Sequence, residues 1–442
     1  MASSLVLLLQ FLPVIISICA VLVYLRLSAL GLSPITFDLP DLPTLEADNR
    51  LANVAVEKIG EGDLLYPETL VLTPDEQCVF ATLGDGRIVR IETPKSAAEL
   101  AWHTLVRTGG PKIYGKSKDA TDREDSKCGR GGPADENNME AKCGRPLGLW
   151  MSSRASIDPD FKPKRQNDDI DEDVLLVADA YKGFIMVTDI YGNESKMHTL
   201  ATRENTDPPD HKFSLLNGVV QTPNGHVYLT ETSQKFQRRR IFYAVMDGGP
   251  TGRLLRYRRE TGVVEVVAEK IFMANGIALS HDEKSLLIVS GVRILRFDLE
   301  SEMMDPTPFV EAMPGTGDNI KAMDQLPNGK KMKCYWAALG GPYRKPFSLL
   351  KFVSDKPWIR SLLLSIVPYR KVIDLIPKWT ALAVYDEEGV LIETLRDDGT
   401  MQDENGEKKG VSAPWISEME PVGDYLYLAS WYNPFLARIK KH

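Results

Sequence analysis

Two patterns of hydrophobic residues divide the chain. Residues 5–25 form one apolar run without a charged residue, long enough to cross a bilayer as a helix. From Tyr66 onward the apolar residues fall into short runs of β type, separated by turns, with few long helical patterns. The chain is therefore predicted to carry one membrane-spanning helix followed by a body built mainly of strands.

The β-type runs repeat along the body. The repeated unit is an apolar strand, a turn, a second strand, a Gly-rich turn and a third strand, as in residues 72–91. Similar segments follow at residues 175–180, 220–257, 278–297, 327–337 and 422–430. Units that recur about every 40–50 residues are typical of four-stranded propeller blades. The pattern predicts an all-β, six-bladed β-propeller, because a tandem of β-sandwiches would not place the same turn chemistry at the same point of each unit.

The segments outside the repeat complete the predicted organisation. A short tail (1–4), a membrane helix (5–25) and a Pro-rich acidic spacer (26–52) precede a propeller at residues 53–442. Two insertions interrupt the blades, a polar loop at 109–143 and a helical segment at 355–376. The apolar part of the second insertion is too short to span a membrane. It is predicted to pack over one propeller face, with a helix that dips into lipid as the alternative.

Composition and charge restrict the function. A formal net charge of −8 at pH 7 argues against nucleic-acid binding, which needs a basic surface. The six histidines lack zinc-type spacing. The chain also has no Gly-x-Ser-x-Gly nucleophile elbow. The charged runs at 168–173 and 237–240 are interpreted as solvated loops.

Three features bear on the cellular compartment. The apolar segment lacks a convincing cleavage site, which favours an uncleaved signal anchor over a cleaved signal peptide. Asn193 begins an Asn-Glu-Ser sequon and is a predicted glycosylation site. Cys128 and Cys143 flank a Gly-rich loop and form either a disulfide or two unrelated thiols. We expect a single-pass type II membrane protein with its propeller in the ER lumen or outside the cell.

Oxygen-bearing side chains stand just before the innermost strands of several units. In a propeller these strands run along the central channel, so residues at equivalent positions converge near the axis. Two carboxylates and three amides suit calcium, which takes six to eight oxygens, better than magnesium or zinc. The alternative is that Asn-Gly is ordinary turn chemistry. The predicted metal ligands are Glu68, Asn217, Asn275, Asp318 and Asn319.

Five short motifs resemble the strictosidine-synthase-like family. They occur in the family's order at residues 143–148 (CGRPLG), 177–183 (VADAYKG), 274–276 (ANG), 314–319 (PGTGDN) and 416–418 (ISE). The resemblance runs from about Tyr66 to the C-terminus. It implies a six-bladed propeller related to paraoxonases and gluconolactonases, with calcium-dependent esterase or lactonase activity.

The resemblance also assigns roles to single residues. The five predicted ligands match the paraoxonase-type calcium ligands, and Glu418 stands where strictosidine synthase has its catalytic glutamate. Cys128 and Cys143 look like the family's disulfide pair. Two departures weaken the assignment of efficient lactone hydrolysis. Gly218 replaces an Asp that is usual in relatives, and Asp179 lies near the place of the first histidine of the paraoxonase dyad.

These observations support three hypotheses of function. In the first, a calcium-dependent hydrolase cleaves a small-molecule ester or lactone, with Asp318 as general base and Glu418 as the second candidate. In the second, a strictosidine-synthase-like lyase condenses an amine with an aldehyde and uses Glu418 as acid and base. In the third, the propeller is a non-catalytic, membrane-tethered binding surface whose calcium is structural.

Overall fold

A computed structural model describes residues 2–441 except 44–49, 53, 94–99, 110–127, 129–138, 162–171, 193, 205–211, 344–347, 375 and 401–410. Its strands form six four-stranded antiparallel sheets that follow one another along the chain. The first strand of each sheet contacts the first strand of the next, and the last such contact closes the ring. The six-bladed β-propeller predicted from the repeat is therefore confirmed.

The first three blades follow in simple chain order, after a short strand, β1 (Glu57–Ile59), that belongs to the last blade. Blade 1 comprises β2 (Leu70–Leu72), β3 (Cys78–Thr82), β4 (Arg87–Glu92) and β5 (Trp102–Arg107). Blade 2 comprises β6 (Pro146–Ser153), β7 (Asp173–Asp179), β8 (Gly183–Thr188) and β9 (Lys196–Ala201). Blade 3 comprises β10 (Leu216–Gln221), β11 (Val227–Glu231), β12 (Gly252–Arg258) and β13 (Val263–Ile271).

The last three blades include the one that closes the ring. Blade 4 comprises β14 (Ala274–Leu279), β15 (Ser285–Ser290), β16 (Arg293–Asp298) and β17 (Met303–Met304). Blade 5 comprises β18 (Gly315–Gln325), β19 (Lys331–Pro342), β20 (Thr380–Tyr385) and β21 (Leu391–Asp397). Blade 6 comprises β22 (Ile416–Val422), β23 (Tyr425–Ser430) and β24 (Leu436–Lys440), and its outer strand is β1. This pairing ties residues from both ends of the propeller into one sheet.

The apolar residues of the strands form six separate cores, each between two neighbouring blades. Strand β7 shows why: all but its first residue are buried, so its two faces pack against different blades. A strand buried on both faces reads as a continuous apolar run rather than an alternating one. The ring therefore depends on every blade having two apolar faces.

The helices lie outside the blades. A long apolar helix, α1 (Ala2–Ala29), begins the chain, and by length and composition its segment Phe11–Ala29 could cross a membrane. Two short helices follow in the loops, α2 (Met139–Cys143) and α3 (Ile241–Asp247). Between β19 and β20 lie α4 (Leu349–Ser354), α5 (Pro357–Ile366) and α6 (Tyr369–Asp374). The helical insertion thus begins at Leu349, earlier than the predicted 355, because Ser348 caps α4 by accepting a hydrogen bond from the Lys351 amide.

A disulfide joins Cys128 and Cys143. Most of the predicted loop insertion (109–143) lies outside the described residues, but both cysteines are described. The bond joins cysteines that are fifteen positions apart and fixes α2 beside the start of blade 2. Of the two alternatives that the sequence left open, a disulfide and two unrelated thiols, the disulfide is the one present. Asn193, the predicted glycosylation site, lies outside the described residues.

Five of the six innermost strands contain a β-bulge at the same level. Pairing with the second strand of the blade skips one or two residues at this point in each strand. A bulge bends its strand and re-aims the side chains that it frees from pairing. The skipped residues are Leu147, Asn217 and Gly218, Asn275 and Gly276, Asp318 and Asn319, and Ser417. The predicted oxygen ligands of blades 3, 4 and 5 thus lie within the strands at bulges, and only Glu68 lies before its strand.

Glycines at these bulges let neighbouring blades approach one another closely. A Cβ atom on Gly148 would lie 2.3 Å from the Asn217 carbonyl oxygen, and one on Gly218 would lie 3.0 Å from that of Asn275. A Cβ on Gly276 would lie 2.5 Å from Asn319 Cα. No side chain fits at such distances without moving backbone. Gly218, which departs from the family pattern, therefore lies at a contact between neighbouring blades that leaves no room for a side chain.

We expect Gly276→Ala to destabilise the propeller by about 1–3 kcal/mol, because the new methyl group would have to displace the backbone of blade 5. Gly249→Ala is the matched control, since its Cβ would meet no atom closer than 3.5 Å. Urea unfolding of the detergent-solubilised full chain measures both. Equal unfolding midpoints for the two variants would contradict the tight approach at the axis.

Candidate active site at the propeller axis

A cavity of about 530 Å³ opens at one end of the propeller axis. Its polar end holds four of the five predicted ligands, Glu68, Asn217, Asn275 and Asp318. The rest of its wall is mainly apolar and comes from the spacer, from α3 and from the helices between β19 and β20. These lining residues include Leu39, Leu42, Phe242, Val245, Met246, Leu350, Leu363, Leu364 and Val367. The cavity therefore joins a small polar floor to a large apolar enclosure.

Hydrogen bonds orient the amide side chains of the predicted ligands, of which Asn217 and Asn275 line the cavity and Asn319 does not. The Asn217 side-chain NH₂ donates to Thr232 Oγ1 at 3.1 Å, and that of Asn319 donates to Thr69 Oγ1 at 3.2 Å. The Asn275 side chain is hydrogen-bonded to the Asp318 carboxylate, while its own Oδ1 is buried without a partner among the described residues. Because each NH₂ group is engaged by the protein, the three carbonyl oxygens remain as the available acceptors.

The two carboxylates at the floor have different partners. Arg145, which is fully buried, donates from Nη2 to Glu68 Oε2 at 2.6 Å and so shares that carboxylate. Asp318 has no such ion pair among the described residues. Burial, and next the negative charge of Glu68, raise the pKa of Asp318 well above its usual range. A positive charge placed between these carboxylates would favour their ionised forms and so lower the pKa of Asp318.

The donor set fits a hard cation with oxygen ligands. A buried oxygen such as Asn275 Oδ1 costs free energy when it has no partner, and a cation would satisfy it. Among the described residues no group of three or more His, Cys, Asp or Glu side chains could hold a metal. The fit therefore rests on combining two carboxylates with amide oxygens, an all-oxygen set that suits calcium better than zinc, whose sites are built mainly from nitrogen and sulfur.

Glu418 is close enough to Asp318 for its charge to help raise the pKa of that carboxyl, but it does not reach the cavity wall. The residues that line the cavity in the described part of the chain do not include it. Its Oε1 instead accepts hydrogen bonds from the Leu70 amide at 2.8 Å and from Lys321 Nζ at 2.7 Å. Lys321 also contacts Glu420 and the Leu70 carbonyl. The structure therefore places Glu418 in an ion cluster beneath the floor, where it holds the start of β2.

Burial raises the pKa of Glu418 to about 7, although the charge of Lys321 opposes the shift. For Lys321 burial acts in the other direction and lowers the pKa, but Glu418 and Glu420 outweigh burial and the net shift is upward. The lysine therefore stays charged, and Glu418 changes its protonation state near neutral pH.

Arg238 corrects one interpretation made from the sequence. The run 237–240 was expected to be a solvated loop, but the Arg238 side chain is buried and lines the cavity. Its Nη1 has no hydrogen-bond partner within the described structure. Arg239 and Arg240, by contrast, are partly exposed. The sequence carried no signal for this difference, because only the fold determines which of three adjacent arginines faces the axis.

No histidine is among the described residues that line the cavity. Asp179, which lies near the place of the first histidine in the paraoxonase pattern, is fully buried away from it. Its carboxylate accepts hydrogen bonds from Thr108 Oγ1 and from the backbone amides of Arg145, Tyr181 and Lys182. Asp179 therefore fastens the turn between β7 and β8 to the loop before β6.

Comparison with known proteins identifies the family. The strictosidine synthase family matches residues 217–298. The chain is 30% identical to the adipocyte plasma membrane-associated protein of Gallus gallus over 415 residues, which cover 92% of this chain and 83% of that protein. The chain belongs to this strictosidine-synthase-like family. It is also 28% identical to the adipocyte plasma membrane-associated protein of Homo sapiens over 92% of this chain and 82% of that protein. Protein STRICTOSIDINE SYNTHASE-LIKE 13 of Arabidopsis thaliana is 28% identical over 75% of this chain and 72% of that protein.

Within this strictosidine-synthase-like chain, Glu418 makes stability depend on pH. The ordinary pKa of a glutamate is 4.5 and that of Glu418 in the fold is about 7, so the folded state binds the proton more tightly. The stability that this proton contributes is fully present below about pH 4.5 and is lost as pH rises through about 7. We expect Glu418→Gln to remove up to about 3 kcal/mol of that pH dependence.

Urea unfolding of the full chain at several pH values from 4.5 to 7.5 measures this difference. Glu420→Gln is the matched control, because it removes the other carboxylate partner of Lys321 and leaves Glu418 in place. The control should keep most of the pH dependence. A Glu418→Gln variant with the wild-type slope would show that Glu418 titrates normally.

Proposed function

We propose that this chain is a calcium-dependent hydrolase of ester or lactone substrates, carried on a membrane-anchored propeller. The observation that carries the proposal is the buried, unpartnered Asn275 Oδ1 beside Asp318 and Glu68, at the polar end of a mainly apolar cavity. Such a cavity with a few convergent polar groups is typical of small-molecule sites. Membership of the strictosidine-synthase-like family adds support.

Five residues would hold the cation: Glu68, Asn217, Asn275, Asp318 and Asn319. A bound calcium ion supplies a Lewis acid that polarises a substrate carbonyl. The protein's own part is to fix the ligands, and it does so through the bulges and through the bonds to Thr232 and Thr69. The apolar wall excludes water and thereby strengthens every charge interaction at the floor.

Asp318 is the proposed general base. It lines the cavity, and its carboxylate would take a proton from the water that adds to the carbonyl carbon of the substrate. The same proton would then pass to the leaving oxygen as the ester C–O bond breaks. Glu418 is proposed to be a positioning residue only, because the hydrogen bond that it accepts from the Leu70 amide holds the strand that follows Glu68.

The membrane anchor is the second part of the proposal. The apolar segment of α1 supports it, as does the membrane association stated in the names of the relatives. The disulfide between Cys128 and Cys143 favours an oxidising compartment. A type II orientation, with the propeller in the ER lumen or outside the cell, satisfies both features.

A condensing lyase is the alternative enzyme. The observation that favours it is the pKa of about 7 for Glu418, which suits acid–base catalysis near neutral pH. Its position outside the cavity lining counts against it. Amine–aldehyde condensation that survives chelation and is lost in Glu418→Gln would favour the lyase over the hydrolase.

We expect Asp318→Asn to weaken calcium binding at least about tenfold and to lower ester turnover at least about 100-fold, because it removes both a ligand and the base. Chelation of wild-type protein should abolish turnover and calcium addition should restore it. Asp324→Asn is the control on the same strand, since the Asp324 side chain is 88% exposed. Calorimetric calcium titration and an ester and lactone panel provide the two readouts.

Full calcium-dependent turnover by Asp318→Asn would refute the role of Asp318. Wild-type turnover of no ester or lactone at any calcium concentration would instead point to the non-catalytic binding propeller.

Arg238 should assist the same reaction. Its unpaired Nη1 lies on the cavity wall, and Asp318 is near enough for the charge of Arg238 to lower the pKa of that carboxyl. A guanidinium there would stabilise negative charge as it develops on the carbonyl oxygen. We expect Arg238→Met to lower kcat/KM by about 100-fold. Arg239→Met, one residue away and partly exposed, should stay near wild type, and equal effects in both variants would exclude a specific role.

A further inference from the structure

Helix α5 has two apolar faces. Its inner face carries Leu363 and Leu364, which line the cavity. Its outer face carries Trp358, Leu362 and Ile366, which are 68%, 44% and 69% exposed. These three residues are spaced by four and therefore form one stripe along the helix. Phe352 on α4 extends the exposed apolar surface and is 46% exposed.

The outer stripe adjoins the helix that could enter a membrane. Helix α1 contacts α5, and Leu27 at its C-terminal end packs in one cluster with Tyr243 of α3 and Leu364 of α5. Residues of α1 such as Leu22 and Leu25 are more than half exposed. Two exposed apolar surfaces thus meet at the end of the propeller that carries the cavity.

The charge around the stripe differs from that of the whole chain. Apart from Arg360, which is buried, residues 349–378 contain five basic and two acidic residues, whereas the chain as a whole has a net charge of −8. Basic residues that flank an apolar helix face are attracted to anionic lipid headgroups. This segment is therefore basic within an acidic chain, and its charge is complementary to an anionic phospholipid surface.

We propose that the outer stripe, Phe352, Trp358, Leu362 and Ile366, rests in the headgroup–acyl boundary of the bilayer that α1 enters. The apolar stripe removes its surface from water there, and α1 supplies the tether that keeps it in place. Because the opposite face of α5 lines the cavity, the cavity then lies at the lipid surface. Apolar substrates would reach it from the bilayer. The lipid contact itself does not depend on the proposed hydrolysis.

Trp358 provides a direct test. The full chain is placed in phosphatidylcholine–phosphatidylserine nanodiscs, with and without lipids brominated near the top of the acyl chain, and tryptophan quenching is recorded. We expect the difference between wild type and Trp358→Phe to be a fluorescence component that bromolipid quenches at least about twofold. Trp150→Phe is the control, because Trp150 is partly buried on β6, in a different blade. The fluorescence component that Trp150→Phe removes should not be quenched by the brominated lipid.

Two results would overturn the proposal. Trp358 fluorescence that brominated lipid leaves unchanged would place the stripe in water. Two copies per nanodisc in wild type but one in Leu362→Ser/Ile366→Ser, again without quenching of Trp358, would assign the stripe to a second copy of this chain. Turnover does not enter either readout, so failure here and failure of the proposed hydrolase are distinguishable.

Discussion

The close approach of the innermost strands at the propeller axis is the constraint on which the rest of the structure depends. Gly148, Gly218 and Gly276 each leave room for backbone of the next blade, and each lies at or beside a bulge. The bulges turn Asn217, Asn275 and Asp318 towards the cavity. A ring that could not close this tightly would leave these oxygens too far apart to share one ion.

The same closeness creates an electrostatic problem. Glu68 and Asp318 lie near each other away from water, and Arg145 neutralises only the first directly. A buried carboxylate beside another buried carboxylate either takes up a proton or recruits a cation. Beneath this floor, Lys321 solves the equivalent problem for Glu418 and Glu420 with its own charge. The charge of a lysine thus stabilises the acidic pair beneath the floor. The acidic pair at the floor, Glu68 and Asp318, leaves room for a ligand.

Sequence predicted the fold well because a propeller repeats its pattern. Strands buried on both faces produce apolar runs that a reader can count, and the Asn-Gly and Asp-Asn pairs stand at the same phase of each unit. The ligands were placed just before the strands, whereas three of the four positions are bulges within strands, which no local pattern announces. The helical insertion was expected to pack on the propeller. Its second, exposed apolar face follows from the spacing of Trp358, Leu362 and Ile366, but only the fold shows which face is covered.

What the sequence could not reveal depends on contacts between distant residues. Arg238 is buried while Arg239 is partly exposed, although their local sequence is the same. Glu418 was a candidate catalytic residue, yet it hydrogen-bonds to the Leu70 amide outside the cavity lining. In both cases the deciding partner is more than 150 residues away or is the cavity itself. Residue type and motif order identify candidates, and three-dimensional contacts assign them to the cavity or to the scaffold.

The oxygens at the axis are proposed to form one calcium site. A crystal structure of the propeller grown with calcium would show whether they do. We predict one ion at the cavity floor, with side-chain oxygens of Asn217, Asn275 and Asp318 among its ligands at about 2.3–2.6 Å. A floor without an ion, in which Arg238 has moved to pair with Asp318, would contradict the claim.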